Sequence, residues 1–488
     1  MQPPSTAQTQ ARDLATTAAR LDKLDQDSPS VLSARLEYVD SLTNDEAGAA
    51  PCAQRLDAAQ RQLDRVSASR AAQVMFPEGW ARVSDAQYRV HSERASCLAD
   101  PQLREPQLTS ALEAAQRAVE QYRAAFDYKS MVVMQFNVAL TLRALGSDAA
   151  AIAALESALA MDREYGFRDD AEENYRMLRD WKHEPAEPEQ ITAWLNDFPT
   201  RSITLRFAWA PQDETVSASD TRAWLVGHRI LHSRGTATAR RYIKATPGGW
   251  SVSYESAADL DPGVWPVEPD NRKDFFTPAL LELPGLDIDA EGNLKAVINP
   301  ATFAAQFSAA TERALRARAS TGAGARQWLT DTVNVMKVLF APGVMESKAT
   351  EAYRLETAMW IGATLKQGVW YELTAPLSVP GLQRVVVNHT LQFAYARPAP
   401  CVDGSDACAE IIVRATPEPD ALAEALQDVG LSREEGFDYI SSTYLRVVVD
   451  PRTLLPQVRE TRQYWYVVRP GGEIRLESER ALSSTSYP

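Results

Sequence analysis

A chain of 488 residues with 45% hydrophobic side chains has length for about three domains and enough apolar material to give each a core. Its formal charge of −14, with no basic stripe to offset it, argues against a nucleic-acid or anionic-membrane partner. No apolar run approaches the roughly 18 residues of a transmembrane helix.

The chain opens on MQPPSTAQTQ, which lacks the charged start, apolar core and small-residue cleavage site of a secretory signal. A Met directly ahead of such a Gln/Pro/Ser/Thr-rich stretch is what remains when a signal peptide or a lipidated cysteine has been removed. Residues 1–29 are therefore expected to be a flexible segment, with a membrane tether through the lost anchor as the accompanying expectation. Residues 30–198 read as Ala-rich helices. Trp80 to Cys97 and Leu108 to Ala125 carry apolar residues at helical intervals (Ala111, Ala115, Ala118 and Tyr122 on the second), and Asp170 to Trp181 begins another helix.

The clearest signal lies between them, from Met131 to Met161. Ala139, Leu142 and Leu145 step along one helical face, and Gly146 can take the positive φ that closes a helix. Ser147 or Asp148 can cap the next helix, whose stripe is Ala151, Leu155, Ala158 and Leu159. Asn137, a small residue, Gly146 and the late Ala158-Leu159 pair in this order resemble one tetratricopeptide repeat, although Arg163 stands where such repeats often carry proline. The resemblance implies a stack of helical hairpins, of which at least about three are needed to bury the stripes, and a protein- or peptide-binding surface that includes Asn137.

Near Pro199 helix patterns give way to strands. Eight of the eleven tryptophans lie beyond it, and Ile203 to Ala208, Trp250 to Tyr254, Val385 to Tyr395, Glu410 to Arg414, Tyr444 to Val449 and Tyr464 to Val468 are rich in β-branched and aromatic residues. Turn signals separate them: Pro247-Gly248-Gly249, Ala290-Glu291-Gly292-Asn293, Gln367-Gly368, Asp450-Pro451 and Pro470-Gly471-Gly472. Helical insertions are expected over 300–319, with Phe303, Phe307, Ala310 and Ala314 on one side, and over 419–429. The fold class that follows is α+β: a repeat-like helical domain over 30–198, then, over 200–488, a curved antiparallel sheet packed on one or two helices. The order of strands, Asp-x-x-Gly turn, helix, Trp370-containing strand and Asp450-Pro451 turn resembles the β-rich domains of bacterial envelope lipoproteins, with curved sheets in the general style of lipoprotein carriers. That resemblance implies a fold and a compartment, and no activity.

The four cysteines fall into same-domain pairs, Cys52 with Cys97 and Cys401 with Cys408, the second flanking a polar, Gly-containing loop. Disulfides there place the chain in an oxidising compartment, periplasmic or associated with the outer membrane; four reduced thiols in a cytoplasmic protein are the alternative. Neither pair has zinc spacing.

Chemistry-bearing motifs are sparse. His228 and His232 share a face whether the segment is helix or strand, and Arg229 stands where a zincin motif needs glutamate. Asp287, Asp289 and Glu291 copy the first half of a calcium loop, but Ile298 occupies the twelfth position, so a hairpin with Gly292 and Asn293 at positive φ is expected instead. No nucleophile elbow, P-loop or C-x-x-C occurs. The pairs Glu434/Glu435 and Glu351/Glu356 read as solvated faces. Tyr464, Trp465 and Tyr466, with Trp370 and Tyr371, would line a binding groove if neighbouring strands carried them on one face, and would otherwise be core. No catalytic residue, metal site or cofactor is assigned. The leading expectation is a non-enzymatic binding or assembly protein of a bacterial cell envelope with a protein or peptide partner. The alternatives are a hydrolase-type enzyme acting in a groove of the β domain and a carrier of a hydrophobic ligand.

Overall fold

The computed structural model describes the chain apart from residues 1–15, 18, 24–28, 45–50, 75–76, 227–228, 257–282, most of 319–340, 381, 403, 406, 432–437, 469–473 and 487–488. It divides into two compact units, Met1–Thr200 and Arg201–Pro488, one helical and one built on an antiparallel sheet.

The first unit contains α1 (Pro29–Thr43), α2 (Cys52–Ala68), α3 (Arg70–Val74), α4 (Pro77–Ser96), α5 (Pro101–Ala124), α6 (Tyr128–Ala144), α7 (Asp148–Tyr165), α8 (Arg168–Trp181) and α9 (Pro188–Asn196). From α4 onward each helix packs on the next, and α1 and α2 pack on α4. Local chemistry sets the boundaries. Asp100 accepts from Gln102 N at 2.9 Å with Pro101 in the first turn of α5, and Asp127 accepts from Ser130 N at 3.2 Å at the start of α6. Gly146 and Gly166, at φ 75° and 82°, end α6 and α7. Ser147 stands at the start of α7 but makes no capping bond with its side chain. Ala111, Ala114, Ala115 and Ala118 of α5 and Ala151 and Ala158 of α7 are fully buried, which lets helix axes approach closely. Cys52 and Cys97 are bonded and tie the start of α2 to the end of α4 across 45 residues, a loop whose closure removes on the order of 4 kcal/mol of unfolded-chain entropy.

In the second unit eleven strands form one sheet in the order β6-β5-β4-β3-β2-β13-β12-β11-β10-β9-β8. These are β2 (Gln212–Val226), β3 (Arg229–Thr246), β4 (Gly249–Ser256), β5 (Gly285–Asp289), β6 (Leu294–Ile298), β8 (Trp370–Val379), β9 (Leu382–Ala399), β10 (Cys408–Pro417), β11 (Asp438–Val449), β12 (Pro456–Val468) and β13 (Ile474–Ser486). Two up-and-down meanders are thus joined where β13 pairs with β2, from Arg475 opposite Val226 to Ser486 opposite Thr215. A two-stranded ribbon, β1 (Ser202–Thr204) with β7 (Thr364–Lys366), lies apart from this sheet, so of the expected run Ile203 to Ala208 only the first residues pair. Cys401 and Cys408 are bonded beside the start of β10. Together the two disulfides are consistent with an oxidising, extracytoplasmic environment. No helix among the described residues is long and apolar enough to cross a membrane.

Helices α10 (Pro300–Arg318) and α12 (Pro419–Asp428) occupy the positions expected, and a further one, α11 (Pro342–Glu356), was not anticipated. It is the helix that matters most for the sheet. Eleven strands about 4.8 Å apart would hold the outermost pair roughly 48 Å from each other if flat. Yet α11 reaches both ends: Tyr353 Oη donates to Gly292 O at 2.7 Å in the β5–β6 turn, while Arg354 donates to Pro376 O and Glu351 accepts from Ser378 N, each at 2.9 Å, on β8. A helix about 10 Å across can touch both only if the sheet curls around it. Its inner face is apolar on either flank of the helix. Leu391, Phe393, Ile411, Val413, Leu445 and Val447 cluster with Trp360 and Leu205, and Ile243, Val252, Leu286 and Ile288 cluster with Ala349 and Tyr353 of α11.

At the β5–β6 turn only Gly292 has positive φ, at 93°; Asn293 instead donates from its backbone to Asp289 Oδ1 at 2.7 Å. A Cβ on Gly292 would lie 2.6 Å from Ile361 Cδ1 and 2.7 Å from Phe207 Cγ. Gly292→Ala is expected to cost about 3 kcal/mol, combining left-handed strain with overpacking. Denaturant unfolding reads this directly, and a loss below about 1 kcal/mol would show that the turn is not locked in place.

Candidate functional site

Between the two apolar flanks the inner face carries a polar centre. Glu214 on β2 and Arg241 on β3 are cross-strand partners, with Arg241 Nε donating to Glu214 Oε2 at 2.6 Å, and Tyr254 on β4 lies opposite Arg241 in the register. Glu356, in the last turn of α11, pairs with Arg459 of β12. Arg241, Tyr254, Glu356 and Arg459 line a cavity of about 60 Å³ together with Ser483 and Thr485, room for a few waters where one takes about 10–15 Å³. Glu214 and Arg241 are 2% and 8% exposed, so the charges offset each other at close range. Burial pulls the Arg241 guanidinium down, but the carboxylates of Glu214 and Glu356 and the Tyr254 phenol outweigh it and hold the group firmly protonated. Burial raises the Tyr254 phenol. With two cations facing two anions, the centre has no net charge with which to recruit an ionic ligand.

A second cavity, about 40 Å³, lies on the other side of α11 and includes Glu351, His389, Thr443 and Gln463. Burial lowers the His389 pKa, and its Nδ1 lies 2.9 Å from Val387 O, so the ring is neutral at neutral pH and bonded to backbone. Among the described residues no hydroxyl bonds to it. Nor is any group of three His, Cys, Asp or Glu side chains among the described residues placed to hold a metal. The pair Glu351/Glu356 does not form a solvated face: both carboxylates turn to the sheet, one onto the β8 backbone and the other onto Arg459, because α11 lies in its concavity. Gly227, His228, Glu434, Glu435 and the turn at Pro470 lie outside the described residues, and His232 falls in β3.

The aromatic residues are divided by strand alternation. Trp465 faces inward, 7% exposed, and stacks with Tyr439 at 6.5 Å in a cluster with Leu422 and Leu426 of α12. Tyr464 and Tyr466 point to the outer face of β12, the second of them 2% exposed. Tyr371 faces inward, stacks on Phe393 at 5.7 Å and accepts from Lys366 N at 2.9 Å. Trp370 is on the outer face, 43% exposed, with the Arg414 guanidinium 5.1 Å from its ring centre. Three strands separate β8 from β12, so these five side chains do not form one groove.

In the helical unit Asn137 is half-buried on α6, its Nδ2 3.6 Å from Met134 Sδ. On the same face lie Val133, 43% exposed, and the half-buried Phe136 and Leu140, an apolar stripe at spacings of three and four. Nearby elements are held by polar contacts. Arg143 of α6 lies 5.4 Å over the Trp181 ring of α8, and Lys129 pairs with Asp170. Asp162, fully buried, accepts from Asn174 Nδ2 at 2.6 Å through Oδ2, while its Oδ1 has no hydrogen-bond partner among the described residues. Burial pushes the Asp162 carboxyl up to about 7, the bond from Asn174 opposing and Asp170 adding to the rise.

Sequence reasoning passed over Glu214, Arg241 and Arg459. The signal for Arg241 was its parity, between the buried Ala239 and Ile243 on one face of a strand; none existed for Arg459, whose partner sits on the unanticipated helix. No protein-family model matches the chain, and the search of curated proteins finds no match.

Arg241→Met, which strands the buried Glu214, is expected to destabilise by about 3–5 kcal/mol, and adding Glu214→Met is expected to recover most of that loss. A double-mutant cycle by denaturant unfolding measures the coupling; additive losses would contradict it. For Asp162, the folded state keeps a proton that the unfolded chain has released. Stability therefore falls as pH rises from about 4 to 7, by on the order of 4 kcal/mol, and is level above that range. Asp162→Asn removes this slope, as unfolding free energies of the two proteins across pH will reveal.

Proposed function

We propose that this protein is a non-enzymatic binding or assembly protein of a bacterial cell envelope, in which the helical unit receives a protein or peptide. The observation that carries the reading is the apolar stripe on α6 in which Val133 is exposed and Phe136 and Leu140 are half-buried, opposite the buried Met131, Met134, Val138 and Thr141 of the same helix. An amphipathic helix or an extended apolar segment is the partner chemistry such a stripe fits. Successive pairs α4/α5, α6/α7 and α8/α9 are read here as tetratricopeptide-like hairpins, supported by contacts between their first helices, Tyr88 to Thr141 and Lys129 to Asp170. In such an array Asn137 belongs to the receiving surface. The envelope assignment draws its support from the two disulfides.

Among the described residues the alternatives lack a comparable observation. The cavities beside α11, about 20, 60 and 40 Å³, are far below the few hundred Å³ that a hydrophobic cargo or an extended substrate needs.

Affinity capture from envelope extract with the full chain, followed by identification of the bound protein, tests the proposal. Val133→Glu with Leu140→Glu is expected to weaken capture at least about tenfold, by placing charges in an apolar contact. The thermal midpoint should shift little, since Val133 is exposed. Undiminished capture by the folded variant would remove the stripe from the interface.

A further inference from the structure

The outer edge of β8 is only partly covered. Pro376 has no N–H to give to a ladder, its carbonyl takes a bond from Arg354, and Ser378 N gives one to Glu351, so the even-numbered positions of β8 point away from β9. By the two-residue period, the N–H and C=O of Trp370, Glu372 and Thr374 point the same way. There α11 does not reach them, and β8 is the last strand of the sheet, pairing only with β9 among the described residues. All three residues are exposed, and Val369 beside them is 37% exposed. Long unprotected edges are rare because they template further pairing.

We propose that Trp370 to Thr374 accept an extended peptide segment bearing basic side chains as a twelfth strand. Charge selects this occupant. Glu372 is approached by the neutral amide of Gln392 at 3.2 Å, Glu418 by the Thr374 hydroxyl at 3.4 Å, and neither carboxylate forms an ion pair among the described residues. A basic side chain placed on the outer face of the added strand meets Glu372 across the pair, and the next basic side chain on that face, two residues along, meets the exposed ring of Trp370, which Arg414 supports from the β10 side. The same carboxylate disfavours a second copy of the chain: the antiparallel register that engages all three residues sets Glu372 against its own counterpart. This surface is separate from the α6 stripe, and the two stand or fall independently.

Amide hydrogen exchange on the full-length protein tests the proposal, with a short peptide of alternating lysine and valine as the probe. Saturating peptide is expected to slow exchange at Trp370, Glu372 and Thr374 about tenfold. A glutamate–valine counterpart should bind about fivefold more weakly, Glu372→Lys should invert that preference, and N-methylation of alternate peptide amides should abolish protection. Absence of protection with the lysine peptide overturns the proposal. So does equal protection by both peptides, indifference to N-methylation, or protection that grows with protein concentration without peptide, which would identify a second copy as the occupant.

Discussion

Contact of a single helix, α11, with both ends of an eleven-stranded sheet is the constraint on which the rest of the C-terminal unit depends. Sheets close when their outer strands meet; here they do not pair, and Tyr353, Glu351 and Arg354 supply through side chains the bonds that a backbone ladder would otherwise make. The helix must then occupy the concavity, and its own apolar face completes the core. Ala349 and Tyr353 fill one flank, Leu355 and the following Trp360 the other. Among the described residues, the cavities left beside it are about 20, 60 and 40 Å³.

The same geometry accounts for the polar centre. A helix ending inside a curled sheet brings its last-turn carboxylate, Glu356, to the strands around β12 and β13, and Arg459 answers it. The outer face shows a parallel device. Glu410, fully buried, lies between Arg397 at 3.2 Å and Arg446 at 3.1 Å, and Glu460 between Arg462 and Arg480, each at 2.7 Å. Ion pairs of this kind add little net stability compared with apolar replacements, yet they penalise mispairing heavily, because a one-residue slip leaves a buried charge without its partner. In a meander of long, Ser- and Thr-rich strands such as β2 and β13, where apolar alternation is weak, they are a means of fixing register.

Much of the helical unit was legible in the residues. The Ala139–Leu145 stripe, Gly146 and the Ala151–Leu159 stripe marked α6 and α7, because helix periodicity and a left-handed terminus are local properties. The apolar strands β9, β10 and β12 were legible for the same reason. β2 and β3 were not: runs such as Thr215 to Asp220 offer only the small apolar pair Val216 and Ala218 on one face among Ser, Thr and Asp, and their strand character comes from neighbours far away in the chain. α11 escaped notice because its buried positions, Val344, Met345, Ala349, Tyr353 and Leu355, alternate with polar residues that read as solvent-facing until the sheet is placed around them.

The amino-acid sequence by itself determined the α+β class, the change from helices to strands near Pro199, the cysteine pairs and the turn at Gly292, all of which rest on local periodicity, loop length or a single backbone conformation. Tertiary structure alone decided which aromatic residues share a face, that Glu351 and Glu356 turn inward, and that part of β8 stays open. Those outcomes depend on which strands become neighbours and on where a helix lands between them, and such pairings, from the 27 residues between Glu351 and Ser378 to the 103 between Glu356 and Arg459, leave no trace in local sequence pattern.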